Sequence, residues 1–482
     1  MSEINAFIAF PEIILVIGVL ILIVFGALRK GQATETVNLF SLIVLAGAFI
    51  AVILMPSGAG FGGLMVVDSF AKIMKALALI AAAATIAMSR DYMARENLHH
   101  FEFPILVTLA AIGMMMMISA NNLLGLYLGI ELLSLPCYVL AAFRRDSPLS
   151  TEAGVKYFVL GSLSSGMLLY GASLIYGFSG SLQFPEISAA VKSFSAEGGT
   201  AVGPTVGLIT GMCFMAAGTA FKISAVPFHM WTPDVYEGSP APVTAFFASA
   251  PKVAGLAVVV RLFVGAFGDA VSLWQQIIYF ISVMSMIIGA FGALTQSNFK
   301  RLMAYSSIGN VGYALIGLVA GTEEGIAGMV VYLVIYVAMT LGAFACIIAM
   351  RNGEEEFDSI YDLAGLSKTH GGWAAGLLVV MFSLAAIPPL GGFFGKLMVF
   401  MAAVKVQLWT LVIVGVLTSV VSAFYYLRIV KIMYFDEPHQ DFETMPVTLK
   451  VILAASNVVI VLGVVFMGFI FGAANMAAGS LW

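Results

Sequence analysis

The chain has 482 residues, 61% of them hydrophobic and only 10% charged, and a net charge of −4. Soluble domains carry about 25% charged residues, so the polar surface that water would require is missing and a soluble fold is excluded. No Lys/Arg cluster forms a nucleic-acid footprint. Cys137, Cys213 and Cys346 lie in apolar runs without CxxC or Cys/His spacing, which argues against an iron–sulfur or zinc centre on this chain.

In lipid, only helices and closed barrels satisfy the backbone. The apolar runs here are long and do not alternate, so helices are predicted. A span takes roughly 20 residues. Fourteen follow in chain order: 8–28, 37–55, 67–89, 103–119, 121–143, 151–178, 204–228, 239–265, 271–293, 301–320, 325–350, 372–402, 406–433 and 448–475. Between Met1 and Phe7 there is no positive residue, and no small-residue cleavage site follows, so the first run reads as a retained span. The glycines from Gly58 to Gly62 lack the strand-and-helix context of a nucleotide loop.

With the N-terminus outside, loops after odd-numbered spans face the cytoplasm. Those loops hold Arg29, Lys30, Arg90, Arg95, Arg144, Arg145, Lys300, Arg301, Arg351 and Lys368, and Arg428, Lys431 and Lys450 border the last of them. The outer loops hold Lys192 and Lys405, with Arg261 near an outer end. This asymmetry follows the positive-inside rule and places both termini on the outer side. Spans 4–8 and 9–13 are two sets of five. Five is odd, so the second set enters from the opposite face, the mark of an inverted repeat. The expected units are therefore a three-helix segment over 1–100, repeats over 103–265 and 271–433, and a final span over 448–475.

Spans 7 and 12 each carry a polar break: Lys222-Ile223-Ser224-Ala225-Val226-Pro227-Phe228-His229, and Pro388-Pro389-Leu390-Gly391-Gly392-Phe393-Phe394-Gly395-Lys396. Interrupted helices free carbonyls and half-helix ends for ions and water; an ordinary proline kink is the plainer alternative. A lysine stands beside each break, and the two are expected to occupy matching repeat positions.

Charge at mid-membrane costs roughly 2.5–3.5 kcal/mol on insertion scales, so Glu131, Lys222, Lys252 and Lys396 are candidates for a buried row, with Lys156 shallower in span 6. Burial disfavours the charged form of a lysine and a nearby carboxylate favours it. A lysine whose carboxylate comes and goes therefore loads and unloads a proton, which an arginine does not do. A unit-charge pair at 4 Å is worth about 4 kcal/mol at an effective dielectric of 20. That is comparable with the roughly 2.3 kcal/mol needed to move one charge against 100 mV. The alternative for Glu131 is a static salt bridge between helices. His229, at the cytoplasmic end of span 7, is either a proton relay or an interfacial histidine. Tyr305, Ser306, Ser307 and Asn310 put polar groups into span 10, for a hydrated path or for interhelical hydrogen bonds. Asp68 and Lys72, spaced i, i+4, are expected to pair within span 3. The methionines, including Met114 to Met117, read as lipid-facing or packing residues. The acidic run Glu354 to Glu356 reads as solvated or partner-facing.

The segment from Phe221 to Pro240, with Ala250-Pro251-Lys252, Asn298 to Tyr305 and Pro388 to Lys396, resembles the antiporter-like membrane subunits of respiratory complex I, NADH–quinone oxidoreductase. The resemblance runs over most of the chain and is strongest from about 120 to 435. It implies an all-helical polytopic fold of about 14 spans with broken helices 7 and 12. It also implies proton translocation in a bacterial inner membrane beside sister antiporter-like subunits, with flavin and iron–sulfur cofactors on partner chains and none here. Glu131 would pair with Lys222, Lys156 would tune that pair, Lys252 would connect centrally and Lys396 would face the outer exit. Span 10 lacks an acid opposite Glu131, so one composite route is expected rather than two. A multi-chain sodium/proton antiporter subunit resembles the same pattern and is the alternative.

Overall fold

The computed structural model describes residues 5–29, 33–196, 202–353, 355–438 and 440–482. Lys30, counted among the basic residues above, and Glu354 of the acidic run lie outside them.

The chain is helical throughout. It opens with α1 (Phe10–Arg29), α2 (Thr34–Leu54) and α3 (Ser69–Arg95), the last two joined through a small hairpin of β1 (Gly58–Gly60) and β2 (Met65–Val67). Then follow α4 (Glu102–Ser119), α5 (Leu123–Ala141), α6 (Pro148–Ser179), α7 (Phe184–Ala196), α8 (Val202–Lys222), α9 (Thr232–Gly238), α10 (Ala241–Ala248) and α11 (Ala250–Val260). The second half holds α12 (Val271–Leu294), α13 (Phe299–Val319), α14 (Glu323–Ala349), the single turn α15 (Leu366–Thr369), α16 (Gly371–Leu384), α17 (Gly391–Lys405) and α18 (Trp409–Phe435). The chain closes with α19 (Val447–Val465) and α20 (Met467–Gly479). Among the described residues, twelve helical segments are long and apolar enough to cross a membrane. Helix α8 and the broken pair α16/α17 add two more passes, in line with fourteen.

The two halves repeat at hydrogen-bond level. Asn122 caps α5 by accepting from the Gly125 amide, and Asn298 caps α13 by accepting from the Arg301 amide. Beside each cap runs the same pair of backbone bonds. Leu123 N donates to Leu182 O and Phe184 N to Asn121 O; Phe299 N donates to Asp358 O and Ile360 N to Ser297 O. Five passes separate the two motifs, so they lie on opposite faces of the molecule, as an inverted repeat requires. The same register pairs Gly113 with Gly289. A Cβ on Gly113 would meet the Leu133 amide at 2.3 Å, and one on Gly289 would meet the Gly309 amide at 2.4 Å. Small residues let membrane helices approach to backbone contact, and here they do so for α4 on α5 and α12 on α13.

Several features depart from the sequence reading. Span 8 is broken as well: Ser249, with φ −116° and ψ −85°, separates α10 from α11. The final span also breaks, at Phe466, between α19 and α20. Helix α7, between spans 6 and 7, was not foreseen; it buries Ile187 and Val191 and lies along the outer edge of the first half. Asp68 does not pair with Lys72. It caps α3 by accepting from the Ala71 amide and takes two hydrogen bonds from Arg261, at 2.6 and 2.7 Å. A guanidinium presents a planar fork matched to a carboxylate, and a cap position turns Asp68 away from the face that Lys72 occupies. Met114, Met115 and Met117 are fully buried, which agrees with the packing half of the reading given for the methionines. Glu356 pairs with Arg144 of the same chain.

Replacing Gly289 by valine should force α12 from α13 and cost about 1–3 kcal/mol, the scale of overpacking. Thermal unfolding of the purified assembly in detergent is the measurement, and an unchanged midpoint would contradict it.

Candidate functional site: a row of lysines between broken helices

Glu131 sits on α5 with Ser134 and Tyr138 one and two turns further along the same face. Its Oε1 is buried and has no hydrogen-bond partner. The Lys222 ammonium, at the end of α8, donates to Ser134 Oγ at 2.7 Å and lies 5.9 Å from the Tyr138 ring. Ser134 in turn donates to the Ile130 carbonyl. Lys222 therefore rests one turn from Glu131 and makes no ion pair with it.

Helix α8 stops because Ser224 adopts a left-handed φ of 62° and Pro227 has no amide hydrogen to continue the ladder. The ends are tied off locally. Val226 N donates to Ser285 Oγ of α12, and Trp231 Nε1 donates to the Phe221 carbonyl. One freed carbonyl, that of Ile223, accepts from Lys252 Nζ at 3.4 Å. Lys252, 1% exposed at the start of α11, also faces the Tyr236 ring at 5.8 Å. Lys222 and Lys252 are thus joined through the residue that follows Lys222.

Beyond Lys252 the row continues through neutral groups. The break at Ser249 leaves the Ala248 carbonyl to accept from Tyr336 Oη at 3.0 Å, and Tyr336 also bonds Ser307 at 2.8 Å. On α13, Ser306, Ser307, Asn310 and Tyr313 share one face. Tyr332 donates to Asn310 Oδ1, Asn310 Nδ2 to Ser306 Oγ, and Ser306 bonds Tyr426 of α18. Tyr313 bonds Thr418 at 3.1 Å, and its ring lies 4.1 Å from Lys396 Nζ. Lys396, 4% exposed, donates to Ser419 Oγ at 3.0 Å. Counting from the Asn122 and Asn298 caps, Ser307 stands where Glu131 stands, nine residues in.

The structure brings together Glu131, Lys222 and Lys252, and reaches Lys396 through α13. It does not bring in Lys156. That lysine lies on the outer side of α6, bonded to Glu152 at 2.6 Å and to Asp234 of α9 at 2.7 Å. The next residue, Tyr157, faces the site, edge-on to Tyr138 and stacked on Trp231. His229 sits within the α8–α9 break, half-buried, with Nδ1 unpartnered. Tyr305 covers Gly292 instead of joining the row.

The two breaks match each other, but the two lysines do not. Ala386 (φ 57°) corresponds to Ser224, and the amides of Ile387 and Leu390 bond as those of Ala225 and Phe228 do. Lys222 lies two residues before Ser224, on the first half-helix. Lys396 lies ten after Ala386, on the second half-helix, the place that Asp234 holds in the first repeat. The expected equivalence is therefore corrected, because proximity in sequence hid that the lysines lie on opposite sides of the turn. Sequence reading also missed Ser134, Tyr236, Tyr313, Tyr332, Tyr336, Tyr426 and Ser419, none of which shares a helix with a lysine of the row; the spacing of Ser134 from Glu131 and of Tyr313 from Asn310 was the available signal. It missed a second buried ion pair too, Glu12 with Lys75 at 2.5 Å.

Residues 120–422 match the family described as NADH:quinone oxidoreductase/Mrp antiporter, transmembrane. The chain belongs to that family. It is 57% identical to NADH-quinone oxidoreductase subunit N of Methylobacterium nodulans, over 98% of this chain and 97% of that protein. To subunit N 1 of Rhizobium meliloti it is 51% identical, over 97% and 96%. A chain of respiratory complex I from Thermus thermophilus superposes with a TM-score of 0.82 at 30% identity, covering 96% of this chain and 99% of that one. A chain of the Mrp complex from Dietzia superposes at 0.85 with 21% identity, which establishes a shared fold.

Outside the spans, α9 carries an ion cluster: Asp234 and Glu237 both accept from Arg301 of α13, at 2.8 and 2.7 Å. Burial pushes the Asp234 carboxyl up, but hydrogen bonds from Lys156 and Arg301 outweigh it and hold the group below its usual range. A depressed carboxyl contributes stability above its unfolded value, near 3.9, and loses it as pH falls through the folded value. Amides of 232–238 should therefore keep their hydrogen-exchange protection at neutral pH and lose it only below about pH 4; loss already near pH 6 would contradict the clamp.

Proposed function

We propose that this chain is the subunit N-type proton-translocating membrane subunit of an NADH–quinone oxidoreductase, carrying protons along Glu131, Lys222, Lys252 and Lys396. The reading rests on one observation above all: Lys222 on Ser134, and Lys252 on the Ile223 carbonyl that the break of span 7 releases, are joined through adjacent residues of the chain. Near-full-length identity to proteins named subunit N supports the assignment to that complex. NADH, flavin and iron–sulfur chemistry would reside on partner chains, and sister antiporter-like subunits would flank this one in a bacterial inner membrane, with both termini outside. The working units are residues 1–100, the repeats 103–265 and 271–433, and the span 448–475.

The first repeat acts as the switch. With its ammonium on Ser134, Lys222 holds a neutral partner and Glu131 keeps a free oxygen. Sliding the ammonium one turn along α5, about 5.4 Å, makes a charge pair worth about 4 kcal/mol at an effective dielectric of 20. Alternation between the two partners changes the hold on the proton, which passes to Lys252 by way of the break. From there, Tyr336, Ser307, Asn310 and Ser306 offer hydroxyls and an amide toward Lys396. Lys156 and Asp234 brace α9 against α6 and so fix the inner end of the switch. His229 faces the same break, and Pro227, Pro388 and Pro389 keep the breaks open by withholding amide donors.

Glu131→Ala or Lys222→Ala should largely abolish proton pumping by the complex reconstituted in vesicles while NADH oxidation with an uncoupler and assembly persist; unchanged pumping would defeat the proposal. Ser307→Ala, which removes about one hydrogen bond, should slow pumping by at most roughly ten-fold.

The sodium/proton antiporter alternative shares the fold. Co-purification separates the two: flavin and NADH dehydrogenase activity should travel with the tagged chain, and their absence would favour the antiporter.

A further inference from the structure

Away from the lysine row, a furrow of about 580 Å³ opens between α16 and α19. Its size falls within the range of ligand sites, roughly 300–1,000 Å³. The floor is made of small and aliphatic residues, among them Gly376, Val379, Leu453 and Ala454. A Cβ at Gly371 or Gly372 would meet nothing within 4 Å, so the mouth is open.

The mouth and the walls are polar in a particular way. His370 stands at the start of α16 and Lys450 in the first turn of α19, and both line the furrow. Neither belongs to an ion pair among the described residues, whereas nearby Lys368 is taken by Glu437 and Glu443 by Arg95. One buried atom in the wall lacks a hydrogen-bond partner, Oδ1 of Asn457. Lys450 and Asn457 are seven residues apart on one helix, about 10 Å along its axis. The furrow therefore runs from a cationic rim at the basic face of the molecule into the apolar zone.

We propose that this furrow binds one anionic phospholipid, with its phosphate on Lys450 and His370 and one acyl chain lying between α16 and α19. Charge complementarity selects the headgroup: two unpaired basic side chains at the basic end of the spans match a phosphodiester, as basic pockets between membrane helices do. The open, small-residue floor admits a flexible chain, and a free phosphate would leave it bare.

The test uses the whole complex in nanodiscs of phosphatidylcholine containing a phosphatidylglycerol with a photoreactive acyl chain. After irradiation, adducts should map to peptides spanning 371–379 and 447–457. The same photoreactive group on phosphatidylcholine should give weaker labelling there. Lys450→Ala should lower the phosphatidylglycerol adducts about five-fold, the effect of one cation near an anionic surface. Ala454→Trp, which fills the furrow, should remove them while adducts on the lipid-facing side of α1 persist. Equal labelling by both lipids that Lys450→Ala leaves unchanged would overturn the proposal. So would cross-links from these peptides to a neighbouring subunit with no lipid adduct. The readout counts adducts rather than pumped protons, so its failure would leave the proton route untouched.

Discussion

A buried polar group in hydrocarbon needs a partner from the protein, and this chain meets that demand by breaking helices. Each break strands carbonyls that a continuous helix would have used. The Ile223 carbonyl goes to Lys252, and the Ala248 carbonyl goes to Tyr336. The unsatisfied backbone and the costly ammonium group solve each other's problem. Because the breaks of spans 7 and 8 lie side by side, that local solution also lines up Lys222, Lys252 and the α13 hydroxyls into one row.

The two repeats share the architecture and divide the chemistry. The first has the fixed carboxylate at Glu131, a serine-held lysine beside it, and a clamped half-helix α9. The second has Ser307 and Asn310 at the corresponding places and answers with tyrosines from α14 and α18. The repeats are also stitched together. Ser285 of the second accepts an amide from the first break, and Arg301 of the second holds Asp234 and Glu237 of the first. Movement of the α8–α9 turn therefore strains contacts on both sides of the pseudo-symmetry axis.

Much of this was legible in the sequence because hydrocarbon makes charge conspicuous. Glu131, Lys222, Lys252 and Lys396 stand out in apolar runs, and the breaks advertise themselves through Pro227, Pro388 and Pro389. What stayed hidden depends on helix rotation and register. Lys156 and Tyr157 are neighbours in sequence, yet only the tyrosine turns inward. The break at Ser249 had its signal in Pro251, which lacks the amide a continuous helix would use, yet the apolar run on both sides still reads as one span. The tyrosines of α14 were invisible because a buried tyrosine reads as an ordinary membrane residue until its hydroxyl is seen to have a partner.

The substitution of Ser307 for a second Glu131 makes the row electrically lopsided. A cation on it meets a carboxylate, Glu131, in the first half and a serine hydroxyl at the matching position of the second. The potential along the path therefore has a single well, off-centre, rather than two balanced ones. Such a profile holds a cation in the first half: leaving the well toward the neutral hydroxyls is uphill and the return is downhill, so onward movement needs the well to be filled by another cation, as the Lys222 ammonium would fill it.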